Sequence, residues 1–358
     1  MNYEKRNDDM LTVFYSLLHF IVDGVCAFAM FGKFVGAQGG YEFFLVYNFC
    51  AFALQMPFGT LLDMFAEKSR ERISFYSAVF GVVLTFIGAF THPIVLGMGN
   101  ALFHVGAGVD VIQEDHAHGW RGQALGIFVA PGALGLFLGT LFAKQNGTVS
   151  WGIVLGIAGV ASVFSVIALY RAFSKESTYR LTVQVVGDLQ ETKEGSKGFV
   201  FVTLGCFLVV ILRSYVGMAV SFSWKTTFLL SICSVLAVVL GKMAGGIFSV
   251  RFGMKKTIVL SLLLSLVCYL LSDVAIFGIG ALFFFNMTMP ITLYLLVCKW
   301  NSMPGFSFGL LTFGLFLGFL PSYFGLEIPL AGELLGSLGS LISMMVLLVF
   351  CLPKGEKN

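Results

Sequence analysis

The feature that most constrains this chain is a series of unbroken apolar runs, each roughly the length of a helix crossing a hydrocarbon core of about 30 Å. They recur from residue 10 to residue 352. A backbone in lipid must satisfy its own polar groups, so such runs fold as helices. A membrane barrel would read as alternating segments of about ten residues. Composition removes the other classes. At 58% hydrophobic and 11% charged residues, the chain lacks the charge of a soluble domain, where about 25% is usual. It is also too apolar to be disordered. Its 7 cysteines stand singly in apolar runs, without disulfide-framework or metal-site spacing. The opening MNYEKRNDDM leads into the first run without a small-residue cleavage site, so that run reads as a spanning helix.

Twelve spans can be marked, at about 10–34, 41–63, 73–91, 93–113, 122–143, 150–172, 198–220, 226–249, 257–274, 277–298, 305–325 and 331–352. The long hydrophilic stretch 174–197 divides them six and six. With the N-terminus placed inside, cytoplasmic segments hold 17 Lys and Arg, the outer side holds 3, and Arg213 and Lys242 lie within spans. That bias follows the positive-inside rule. The expectation is an all-α polytopic membrane protein with 12 transmembrane helices in two six-helix bundles, 1–173 and 198–358, and both termini cytoplasmic. Segment 174–197 is then a cytoplasmic linker, and the protein is a multi-pass monomer in the cell (inner) membrane that binds no nucleic acid.

The halves repeat. GLFLG occurs at 135–139 and again at 314–318. GMGNALF from Gly97 is matched by GIGALFF from Gly278, and GTLLDMFAEKSRER from Gly59 by GGIFSVRFGMKK from Gly245. Parallel six-helix repeats around a midplane site are a transporter architecture.

The last pair of segments resembles the G-x-x-x-D-R-x-G-R-R signature of the major facilitator superfamily. Gly59 and Asp63 match, Met64 and Ala66 replace its arginine and glycine, and Lys68, Arg70 and Arg72 supply the basic cluster. The second copy keeps Gly246, Arg251, Gly253, Lys255 and Lys256, with Val250 at the acidic position. A finer resemblance is to the fosmidomycin-resistance branch: His19 and Asp23 in helix 1, Gly99, Asn100, Phe103 and His104 in helix 4, and Arg213-Ser214-Tyr215 in helix 7. It implies a proton-driven exporter and leaves the cargo open.

Polar groups inside spanning helices are costly and mark function. His19 lies about 13 Å from one end of its helix and His104 about 16 Å from the end of its own, so both fall near the midplane. Asp23 follows His19 at i, i+4 on one helix face. The pair reads as a proton-coupling site, or as a structural contact between two buried polar groups. Helices 1 and 7 face each other in the resembled superfamily, which implies an Asp23–Arg213 gate; alternatively, Arg213 binds an anionic cargo or snorkels. His104, Asn100, Asn286, Thr288 and Asn48 are the candidate substrate contacts, with interhelical hydrogen bonding as the plain alternative. Lys242 reads as snorkelling to the cytoplasm. Gly59, Asp63, Arg70, Arg72, Asp110 and Arg251 form the expected cytoplasmic gate, with Asp110, Glu114 and Asp115 pairing with Arg70 or Arg72. The glycines of helices 5 and 11 read as packing positions.

No catalytic set, phosphate loop, metal site or cofactor motif stands out in the sequence. The reading is a secondary active transporter, not an enzyme, without cofactor and driven by a proton gradient. Its cargo would be a small amphipathic or anionic compound, exported as a drug is. An importer of an organic acid or siderophore is the alternative, and a lipid-modifying membrane enzyme the remote one.

Overall fold

The computed structural model describes residues 10–65, 67–145, 150–187, 196–326 and 328–352. Among them are helices and short connections, and no strand. The helices are α1 Met10–Ala29, α2 Gly40–Asn48, α3 Gln55–Asp63, α4 Glu67–Phe90, α5 Pro93–Ala117, α6 Gln123–Ala143 and α7 Trp151–Gly187. They continue as α8 Ser196–Ala219, α9 Phe228–Phe252, α10 Met254–Leu270, α11 Ala275–Asn286, α12 Thr288–Lys299, α13 Pro304–Tyr323 and α14 Gly332–Val346. π-helical turns extend α1 (Met30–Phe34), join α2 to α3 (Phe49–Ala53) and extend α14 (Leu347–Cys351).

Among the described residues, 11 helical segments are long and apolar enough to cross a membrane. They coincide with eleven of the expected spans. The remaining one, 257–274, falls on α10, which has 17 residues and stops at Leu270; at 1.5 Å per residue that is about 26 Å. Two of the eleven, Gly40–Asp63 and Ala275–Lys299, are each assembled from two helices. The second breaks at Met287, because Pro290 lacks the N–H that would have bonded the carbonyl of Asn286. Helix α7 runs on through Gly187, so the first part of the hydrophilic stretch is helical, while 188–195 lie outside the described residues.

Helices start where side chains can take the first free N–H groups. His92 accepts from Ile94 N at 3.2 Å ahead of Pro93 in α5, and Thr227 accepts from Leu230 N at 3.3 Å in α9. Burial then sorts the helices. In the most apolar windows of α1 and α5, 72% and 78% of residues are buried, against 22% in the Trp151–Phe173 part of α7. The two central helices carry His19, Asp23, Asn100 and His104.

Glycines set how closely the helices cross. A Cβ on Gly135 or Gly139 of α6 would strike the carbonyls of Phe20 and Gly24 in α1, and one on Gly318 of α13 would strike Ile211 O in α8. The repeated GLFLG thus seats α6 on α1 and α13 on α8, the packing role expected of those glycines. The same device joins the two sequence repeats. A Cβ on Gly59 would meet the Gly305 carbonyl and one on Gly305 that of Gly59, so α3 lies directly on α13. Gly126 faces the Lys242 carbonyl and Gly246 that of Gly122, so α6 lies on α9.

Candidate functional site

The polar centre is built by α1 and α5, with α6 closing it. His19, Asp23 and His104 are between 6% and 8% exposed. His19 Nε2 lies 3.1 Å from Asp23 Oδ2 and 2.9 Å from His104 Nε2. His104 Nε2 is 3.6 Å from Asp23 Oδ1, and Asn100 Nδ2 donates to that same oxygen at 3.0 Å. The i, i+4 pair read from the sequence is therefore one edge of a triangle that His104 completes. Gly132 of α6 makes the room, since a Cβ there would collide with both His19 Nε2 and Asp23 Oδ2.

The outer ring nitrogens decide how this triangle is held. His19 Nδ1 is 2.8 Å from Phe128 O, and His104 Nδ1 is 2.8 Å from Asn100 O. A carbonyl only accepts, so both rings carry their proton on Nδ1. In neutral rings both Nε2 atoms would then present bare lone pairs to each other at 2.9 Å and to a carboxylate. The three acceptors cohere when one proton is shared among them, as an imidazolium or a protonated Asp23. By span alone the trio also fits a metal, because one ligand atom from each lies within 4.8 Å of the others.

Helix α6 links this cluster to its surroundings through three consecutive carbonyls. Pro131 lacks the N–H that would bond Ile127 O, and Ser16 Oγ donates to that oxygen at 3.2 Å. His19 takes Phe128 O. Lys242 Nζ donates to Val129 O at 3.2 Å. This corrects the snorkelling assignment: Lys242 reaches across the α6–α9 contact to the carbonyl next to the one that His19 takes.

Arg213 also differs from its expected pairing. It is 7% exposed, its Nη1 has no hydrogen-bond partner, and Asp23 pairs with the histidines instead. Arg213 lines a narrow cavity with Val129, Val210, Leu293, Phe308 and Leu311. The physical reason is access: α1 packs along α6, which leaves Asp23 facing α5 and α6.

At the end of the molecule that carries the signature loop, Asp63 accepts from Gly305 N at 3.0 Å and Phe306 N at 2.6 Å, capping α13. Arg70 Nη1 is 3.9 Å from Asp63 Oδ1, and its Nη2 donates to the carbonyls of Asp63 and Phe65 at 3.1 and 3.3 Å. The expected pairing of the other acids is revised. Asp110 accepts from Tyr15 and Ser74, and Glu114 from Thr12. Asp115 accepts from Gly122 N and Ala124 N at 2.7 and 2.8 Å, capping α6. Arg72 and Arg251 are exposed, Arg251 over the Phe252 ring. The side chain of Lys68 lies outside the described residues. His118 stacks on Trp120 with centroids 4.4 Å apart.

Of the candidate substrate contacts, Asn100 and His104 join the central cluster. Asn48 and Asn286 instead bond carbonyls of their own helices, Phe44 and Leu282, at 2.7 and 2.8 Å, and Thr288 at the start of α12 bonds that of Phe285 in α11 at 3.0 Å. Sequence reasoning read Gly132 as a helix-packing position rather than as part of the polar centre, and it passed over Ser16. The Pro131-Gly132 step was the available signal for both.

The sequence matches no protein-family model and no curated protein. Solved structures do share the fold. The fucose:proton symporter FucP of E. coli aligns over 97% of this chain and 98% of its own, with 14% identity and a TM-score of 0.58. A second FucP structure, a major facilitator superfamily transporter in the outward conformation, aligns over 94% and 97% at 13% identity with a TM-score of 0.56. The human organic anion transporter MFSD10 aligns over 98% and 100% at 14% identity with a TM-score of 0.60. The chain thus has the fold of these major facilitator transporters along nearly its whole length. These neighbours are transporters rather than enzymes.

Proposed function

We propose that this chain is a secondary active transporter of the cell membrane, with twelve spanning helices in two six-helix bundles, working by alternating access and coupled to a proton. The observation that carries this is the convergence of His19 Nε2, His104 Nε2 and the Asp23 carboxylate while both Nδ1 atoms are committed to carbonyls. An exchangeable proton binds that cluster together, and losing it sets lone pair against lone pair. The signature end, with Asp63 and Arg70, is the cytoplasmic gate. The protein works as a monomer without a cofactor.

The cargo is a small amphipathic or anionic compound. The resemblance to the fosmidomycin-resistance branch supports its export in exchange for protons. A second reading, uptake together with a proton, is favoured by Arg213: an anion beside it would stabilise a proton added to the cluster. Of the fold neighbours, FucP is a proton symporter and MFSD10 an organic anion transporter.

The test uses a pump-deficient bacterium expressing wild type or Asp23→Asn at matched membrane levels. It is challenged with fosmidomycin, dyes, fluoroquinolones and organic acids, with and without a protonophore. Coupling free energies between sites correspond to about 5- to 150-fold, so resistance conferred by wild type should fall by a factor in that range in the variant. Greater sensitivity to an organic acid with wild type, lost in the variant, selects uptake. A wild-type effect that survives both Asp23→Asn and the protonophore removes the proton from the proposal.

A further inference from the structure

Arg213 of α8 lines a narrow cavity, and Lys242 of α9 bonds a residue that lines it. Arg213 lines the cavity directly, with Nη1 buried and unbonded. Lys242 holds the carbonyl of Val129, which lines the same cavity. Burying a guanidinium is costly unless a counter-charge meets it. Among the described residues no carboxylate pairs with Arg213. Asp23 is already engaged by His19, His104 and Asn100. Away from Arg213 the wall is apolar, with Val210, Met289, Leu293, Phe308 and Leu311.

We propose that this cavity recognises a small organic anion with one carboxylate-like head and an apolar body. The head takes the planar fork of Arg213, which suits bidentate contact with carboxylates and phosphonates. Lys242 adds a second, movable charge, and the body lies against Phe308 and Leu311. This deepens the transporter reading by naming the cargo class, and it rests on that reading. Val129 O, which Lys242 holds, and Phe128 O, which His19 takes, are adjacent, so cargo and proton would be sensed one residue apart on α6.

The test is equilibrium binding to the purified full chain in detergent with no gradient, followed by thermal unfolding. The probes are hexanoate and benzoate, each beside its uncharged amide, with hexylamine as the cation. Both carboxylates should stabilise wild type at concentrations at least tenfold lower than the amides or hexylamine. Arg213→Gln should abolish that preference, Arg213→Lys should keep part of it, and Lys242→Met should weaken carboxylate binding severalfold. Three results overturn the proposal: amides equal to acids, no response to either carboxylate, or a carboxylate preference that persists in Arg213→Gln. Should Arg213→Gln fail to fold, the acid-to-amide comparison on wild type and the Lys242→Met measurement still decide. Failure here with intact dependence on Asp23 and the protonophore rejects the cargo class alone. Failure of that dependence rejects the transport reading.

Discussion

At Gly132 the central cluster leaves no space for even a methyl group. The residue follows Pro131, whose missing N–H turns α6 outward to Ser16, and its lack of a side chain lets His19 and Asp23 press against the helix. Gly132→Ala should therefore lower transport at least tenfold and destabilise the protein by about 1–3 kcal/mol, the usual cost of overpacking. Gly156→Ala is the matched control, because nothing lies within 4 Å of a Cβ there. Transport and melting should be measured on both, and equal transport would remove the close approach from the mechanism. A sequence read alone could find His19 with Asp23, since four residues along a helix fix a face. It could also place His104 at the same depth. It could not find what Arg213 and Lys242 face, because that depends on how helices far apart in the chain rotate against one another.

At the scale of elements, the loop signature acts by capping a helix from the other repeat. Asp63 takes the first N–H groups of α13, while Gly59 and Gly305 hold the backbones together just beside it. An N-terminal cap is worth about 0.5–2 kcal/mol, so Asp63→Ala should shift the balance toward opening at this end by roughly 2- to 30-fold. The readout is maleimide labelling, from the side of the signature loop, of Met289→Cys, which lines the cavity, in a cysteine-free background. Unchanged labelling would make the cap incidental. The Asp63–Arg70 contact was legible from the glycine-aspartate-basic spacing. The partner was not, because a helix N-terminus carries no residue signature beyond Pro304, and the acids of α5 take hydroxyls and backbone amides within reach. The span lengths and the repeat were legible because hydrophobic thickness constrains every helix alike.

Over the whole molecule, α13 is held to the first repeat at both of its ends. At the end away from Asp63, Tyr41 and Tyr323 stack at 4.2 Å, and each hydroxyl donates to the other's carbonyl at 2.8 Å. A cycle that exposes the cavity on alternate sides has to release one end at a time. Joining Tyr41→Cys to Tyr323→Cys with a short bifunctional thiol reagent should stop transport, and cleaving the linker should restore it. Continued transport when cross-linked would mean that this end never parts. Helix α6 works differently, meeting α1 through the carbonyls of Ile127 and Phe128 and α9 through that of Val129. Every amino acid carries that oxygen, so no codon change deletes it. A gene-wide alanine scan would score these three positions by their side chains and pass over the connection itself. Only chemistry that rewrites the main chain, such as an ester in place of one amide, could interrogate it, and the link from α1 through α6 to α9 is to that extent hidden from genetics.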